Sequence, residues 1–255
     1  MKLLRFLLPL TLAWLATSAA AAEATPVYEL RTYTATPGNL PAVIARFRDH
    51  TIALFEKHGM VNVGYWVPAD DKDGAADKLI YLLEHRSREA AKASWKTFSA
   101  DPEWQAVRKT TEANGKIVAK AESVFLAATD FSRPMDSGNG RGAARVFELR
   151  TYTAAEGKLD ALDARFRDQT LALFAKHGIT SLGYFHPLDA NQGAGKTLIY
   201  FLAFANREAA AAAWKSFRDD PAWTKARTES EKSGKLTAQP PVSVYLNPTD
   251  FSKVR

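Results

Sequence analysis

The sequence predicts an α+β fold written twice: two ferredoxin-like β-α-β-β-α-β units paired sheet to sheet within one chain. Three observations carry this. The first is an internal repeat. Tyr28-Glu29-Leu30-Arg31-Thr32-Tyr33-Thr34-Ala35 returns 119 residues later as Phe147-Glu148-Leu149-Arg150-Thr151-Tyr152-Thr153-Ala154. The same offset aligns Lys57-His58-Gly59 with Lys176-His177-Gly178, and Asp101-Pro102-x-Trp104 with Asp220-Pro221-x-Trp223. It grows to 120 for Thr129-Asp130-Phe131-Ser132 and Thr249-Asp250-Phe251-Ser252. The second observation is periodicity, which switches between strand and helix spacing in the order β-α-β-β-α-β. The third is a packing requirement. Four antiparallel strands with both helices on one face leave the other, largely apolar face bare, and a second copy covers it. Closure of the two sheets as a barrel is the inferred end of that pairing.

Each element has its own signal. Val27–Thr34 alternates in polarity and is rich in β-branched and aromatic residues, so it predicts a strand. Pro37-Gly38 turns the chain. Leu40, Val43, Ile44, Phe47, Ile52, Leu54 and Phe55 recur at helical spacing up to His58, and Gly59 stands where a helix places its C′ glycine. Val61–Val67 and Lys78–His85 predict the second and third strands, with a polar loop at Ala69–Asp77. Ser87 suits an N-cap for a helix reaching about Phe98. Asp101-Pro102 starts another, because Asp caps and Pro suits the first helical position. Gly115 ends it, and Glu122–Ala128 closes the copy as a strand. The second copy repeats the pattern.

Composition bounds the compartment. Met1–Ala22 has Lys2 and Arg5, a short apolar run and an Ala-rich end, the signature of a cleavable signal peptide. The mature chain is therefore expected in the periplasm or secreted, with no membrane-spanning segment. The remaining 32 basic and 28 acidic residues are interspersed, without the basic stripe that nucleic acid wants. The 255 residues include no cysteine, which removes disulfides, thiolate nucleophiles and Cys-ligated metals. The expected organisation is a signal peptide at 1–22, domains at 27–132 and 146–252, and a linker at 133–145 rich in Gly, Ser and Pro.

The opening Tyr28-Glu29-Leu30-Arg31-Thr32-Tyr33 with Pro37-Gly38, the Lys57-His58-Gly59 helix end, Gly64-Tyr65-Trp66 and Asp101-Pro102-Glu103-Trp104 resemble the NIPSNAP family. The second copy carries the same elements, with Phe147 for Tyr28, Glu156 for Pro37 and Phe185 for Trp66. The resemblance implies a dimeric α+β barrel fold. That superfamily includes cofactor-independent monooxygenases, haem-degrading enzymes, haem peroxidases and lactone isomerases. NIPSNAP members have no settled enzymatic activity, and the mitochondrial roles of animal members do not pass to a secreted bacterial-type chain.

Alternation places Glu29, Arg31 and Tyr33 on one face of the first strand, and Glu148, Arg150 and Tyr152 on the equivalent face of its copy. If these line the barrel lumen, Arg could fork onto an anion and Glu could become a base with a raised pKa. The alternative is a structural ion pair that sets registry. Tyr65, Trp66, Tyr184 and Phe185 on the second strands either pack the core or wall a ligand pocket. His58 and His177 suit helix C-termini, with a proton shuttle or haem ligand as the sharper reading. Glu84 and His85 have Ala203 and Phe204 as counterparts, and His186 has Val67, so the halves differ there. No metal-ligand spacing appears, and no cofactor is predicted. The expected function is small-molecule binding. An interaction module and an oxidative enzyme, cofactor-independent or haem-handling, are the alternatives. A homo-oligomer through exposed sheet edges is a further expectation.

Overall fold

The computed structural model describes residues 25–135 and 145–255. The predicted signal peptide and residues 136–144 of the predicted linker lie outside the described residues.

The first half runs β1 (Val27–Ala35), α1 (Leu40–Arg46), a π-helical turn at Phe47–Thr51, α2 (Ile52–Lys57), β2 (Val61–Pro68), β3 (Lys78–His85), α3 (Arg88–Ala100), α4 (Pro102–Thr111) and β4 (Val118–Ala128). The second half repeats it: β5 (Val146–Thr153), α5 (Leu159–Arg165), a π turn at Phe166–Thr170, α6 (Leu171–Lys176), β6 (Thr180–Pro187), β7 (Thr197–Phe204), α7 (Arg207–Asp219), α8 (Pro221–Ser230) and β8 (Val242–Pro248). The caps behave as the sequence predicts. Ser87 Oγ accepts the Ala90 amide at 3.1 Å, and Asp101 Oδ1 accepts the Glu103 amide at 2.8 Å. The π turns carry no local signature. In each, a Thr hydroxyl, Thr51 or Thr170, donates to the carbonyl of Arg46 or Arg165 at 3.1 Å.

The eight strands form one closed barrel in the order β1-β3-β2-β8-β5-β7-β6-β4. Two short antiparallel pairings join the halves. Trp66–Pro68 on β2 meets Leu246–Pro248 on β8, and Leu126–Ala128 on β4 meets Phe185–Pro187 on β6. These pairings close the sheet within the chain, so the two halves cover each other's strand edges.

Alternation divides the core into three parts. The lumen holds Leu30, Trp66, Ile80, Leu82, Leu126, Phe147, Leu149, Phe185, Phe201 and Leu246 among its packed residues. Outside the barrel wall, each half has its own core between sheet and helices. Trp66 and Phe185 fit the lumen only because Gly64 and Gly183 lack side chains: an added Cβ would lie 2.3 Å from either ring. Met135, which the sequence assigns to the linker, is buried in the lumen cluster with its sulfur 3.1 Å from the Gly183 amide nitrogen.

The repeated Thr-Asp-Phe-Ser segments are exchanged between halves. Phe131 belongs to the core of the second half, and Phe251 packs against that of the first. Ser252 Oγ accepts the Tyr65 amide and Ser132 Oγ the Tyr184 amide, both at 2.9 Å. Arg48 forks onto Asp250 and Arg167 onto Asp130. Each half is completed by the other's tail.

Candidate functional site

The Glu-Arg-Tyr face points away from the lumen. Tyr28 and Leu30 turn inward, while Glu29, Arg31 and Tyr33 face the helical layer. The lumen is filled by side chains, so the site expected there is replaced by one between the barrel wall and the helices.

In the first half, the buried Glu29 carboxylate collects four donors. Oε1 accepts from Arg31 Nη1 at 2.5 Å and Ser123 Oγ at 2.6 Å. Oε2 accepts from Trp95 Nε1 at 2.7 Å and His85 Nε2 at 2.9 Å. Burial alone would raise its pKa, but the His85 hydrogen bond, the Arg31 charge and the other donors together hold it at about 2. The raised-pKa base expected from sequence is therefore reversed: Glu29 is ionised and saturated. Arg31 stacks on Trp95 at 4.3 Å.

In the second half, Glu148 Oε1 accepts from Arg150 Nη1 and Ser243 Oγ, both at 2.5 Å, and Oε2 accepts from Trp214 Nε1 at 2.7 Å. Phe204 replaces His85, so there is one donor fewer. Arg150 Nε donates to Tyr200 Oη at 3.0 Å and its guanidinium stacks on Trp214 at 4.5 Å. In both halves the carboxylate fixes the arginine and the indole in place; Glu29 accepts four hydrogen bonds and Glu148 three.

A cleft of about 450 Å³ opens over this second set. Its floor is Glu148, Arg150, Tyr152 and Ser243, and its walls include Trp214, Phe217, Trp223 and Tyr245. Arg218 and Arg227 stand at its rim and are exposed. Neither guanidinium has a hydrogen bond or ion pair among the described residues. A larger groove of about 570 Å³ lies between α5 and α8. It is lined by Ala161, Ala164, Ala222 and Ala226 with charges of both signs, and it gathers no aromatic residue. We take the smaller cleft as the site because polar groups and aromatic walls converge there.

The other predicted residues lie elsewhere. Trp66 and Phe185 are lumen core. Tyr65 and Tyr184 pack under the helices, stacked on Tyr81 and Tyr200 at 5.3 and 4.9 Å. His58 Nε2 and His177 Nε2 lie 2.7 Å from Asp101 and Asp220, the N-caps of α4 and α8. Hydrogen bonds from Lys57 and His58, with the Glu103 amide, hold Asp101 well below the usual carboxylate range. These histidines lock the end of α2 to the start of α4, and the end of α6 to the start of α8. His186 sits between Asp163 Oδ2 and the Thr197 carbonyl, both at 2.8 Å. Burial lowers its pKa, but the Asp163 hydrogen bond and these other contacts raise it on balance. Glu84 pairs with Tyr28 across β1 and β3; burial, then the Glu84 charge, pushes that phenol up to about 12.

Sequence reasoning missed Trp95, Trp214, Ser123 and Ser243 as members of the site. A signal was available. Trp214 and Arg218, like Trp223 and Arg227, are four apart and share a helix face. Among the described residues no helix is long and apolar enough to cross a membrane, and no cluster of three or more His, Asp or Glu could hold a metal ion.

Comparison with known proteins gives fold and family. A candidate monooxygenase from Fusobacterium nucleatum has a crystal structure with TM-score 0.58 and 8% identity, covering 89% of this chain and 94% of its own. An anthrone oxidase-like protein has TM-score 0.54 and 16% identity, covering 91% and 95%. Such likeness shows the fold alone. The curated NipSnap homolog of Dictyostelium discoideum is 28% identical over 144 residues, 56% of this chain and 56% of that protein. The match thus spans little more than half of the relative. The NIPSNAP family model matches residues 28–133 and again 147–253, and the chain therefore belongs to the NIPSNAP family as a tandem member.

Proposed function

We propose that this chain is a small-molecule-binding protein whose site is the outer cleft of the second half, between β5, β8 and the α7–α8 pair. The supporting observation is the convergence in about 450 Å³ of a preorganised Arg150, aromatic walls and two rim arginines that form no ion pair among the described residues. The volume falls within the range of about 300–1,000 Å³ usual for small-ligand sites. Arg150 is held at three points, so a ligand meets an ordered floor. The proposal includes export, as Met1–Ala22 predicts; N-terminal sequencing of protein from the periplasm checks it.

Native mass spectrometry of the intact chain, purified without added ligand, tests the binding reading, together with a thermal-shift screen of small aromatic compounds. A bound mass or a stabilising compound is expected, and Trp223→Ala should abolish the effect. A clean apo mass with no stabilising compound refutes it. A second reading, oxygenation without a cofactor, has support from the proteins of like fold named as monooxygenases and oxidases, and from the phenols of Tyr152 and Tyr200 beside Arg150. Oxygen uptake with quinol substrates separates it from binding alone.

A further inference from the structure

The cleft carries a charge pattern that narrows its ligand, and this step rests on the binding reading above. Arg150 already neutralises Glu148 at 2.5 Å. Arg218 and Arg227 therefore add two positive charges, and neither guanidinium is in an ion pair among the described residues, although Asp219 lies within the field of Arg218. The nearby acidic groups are engaged elsewhere: Asp219 pairs with Lys215 at 2.5 Å, and Glu229 pairs with Lys232. Arg207, whose guanidinium lies 3.6 Å from the Tyr245 ring centroid, is bound to Asp70 of the first half at 3.2 Å. The rim arginines come from two different helices. Each stands four residues after an indole, Trp214 before Arg218 and Trp223 before Arg227, so each cation lies one turn from an aromatic wall. In the first half the equivalent pairs are Trp95 with Ser99 and Trp104 with Arg108, and one cation is missing.

We infer that the second-half cleft takes a planar aromatic anion, an arene carrying a carboxylate or phenolate, with its ring against the indole and Tyr245 walls and its charge between Arg218 and Arg227. Guanidinium forks suit a planar oxyanion, and an aromatic face offers contact to any arene.

The test is a fluorescence titration of the intact chain with 2-naphthoate, its neutral isostere 2-naphthalenemethanol, and cyclohexanecarboxylate. The expectation is that 2-naphthoate binds at least about tenfold more tightly than either control, or about 1.4 kcal/mol. Arg218→Ser, which installs the first-half residue, should weaken it about tenfold, and adding Arg227→Gln should weaken it further. Both arginines are exposed, so the variants should fold. Affinity should also fall as salt rises. If the neutral isostere or cyclohexanecarboxylate binds as tightly as 2-naphthoate, or the double variant leaves 2-naphthoate binding unchanged, the aromatic-anion assignment is overturned. If no probe of either charge binds, the aromatic-anion assignment falls, and the native mass spectrum and compound screen decide the binding reading separately.

Discussion

Replacing the Glu29 carboxylate is the sharpest probe of the buried constellation. Glu29 is 1% exposed and its pKa falls from an ordinary value of 4.5 to about 2. At roughly 1.36 kcal/mol per pKa unit, ionised Glu29 contributes about 3 kcal/mol at neutral pH. A depressed carboxylate stabilises the fold above its unfolded pKa and loses that contribution as pH falls through the folded value. The loss should therefore run from about pH 4.5 down to about pH 2. Glu29→Gln keeps the shape, but it leaves Arg31 without its counterion, and breaking such a buried pair costs about 3–5 kcal/mol. Urea unfolding of both proteins between pH 7 and pH 3, followed by tryptophan fluorescence, should show the gap between them shrinking by about 2 kcal/mol by pH 3. A gap that does not change with pH, or one below about 1 kcal/mol at pH 7, would refute the assignment of Glu29 as an ionised hub.

Other consequences can be measured independently. His85→Phe copies the second half; losing a bond to a charged group, about 1.5–3 kcal/mol, is offset by removing the partnerless buried Nδ1, so stability should change by less than about 1.5 kcal/mol. Its signature is a higher Glu29 pKa in a carboxylate NMR titration. Gly64→Ala forces a Cβ against the Trp66 ring and should destabilise by about 1–3 kcal/mol in chemical denaturation, with Trp66→Leu in the same chain restoring part of it. His186, with its raised native pKa, stabilises the fold fully below the ordinary histidine value of about 6.5, and that contribution is lost as pH rises through the native pKa. His186→Val, the first-half residue, should flatten that limb of the pH–stability curve. A protease site engineered between 136 and 144, once cut, should leave two fragments that co-elute as one particle, because the Phe131 and Phe251 tails are exchanged.

Secondary structure was largely legible because each element has local chemistry. β3 spans Lys78–His85 as predicted, and the Ser87 and Asp101 caps act as predicted. The π turns were not legible, since the hydroxyl that supports each one sits inside an ordinary amphipathic pattern. β8 begins only at Val242, later than its counterpart β4 begins in the first half, and Pro240-Pro241 just before it supply no amide for the ladder. The candidate site was half legible. Alternation put Glu29, Arg31 and Tyr33 on one face, but a period of two cannot say which face is inward when both sides of the sheet are covered.

The repeat, the order of elements, the family and the pairing of two copies all follow from short-range pattern and self-similarity, which any stretch of sequence carries with it. Which face of β1 meets the lumen, which half Phe131 completes, and which side chains surround Glu29 depend on contacts between residues far apart in the chain. Ser123 reaches Glu29 across 94 positions, and Trp95 reaches it across 66. Those neighbours are selected by how two sheets close on each other and where the helices then lie, and no local preference encodes that geometry.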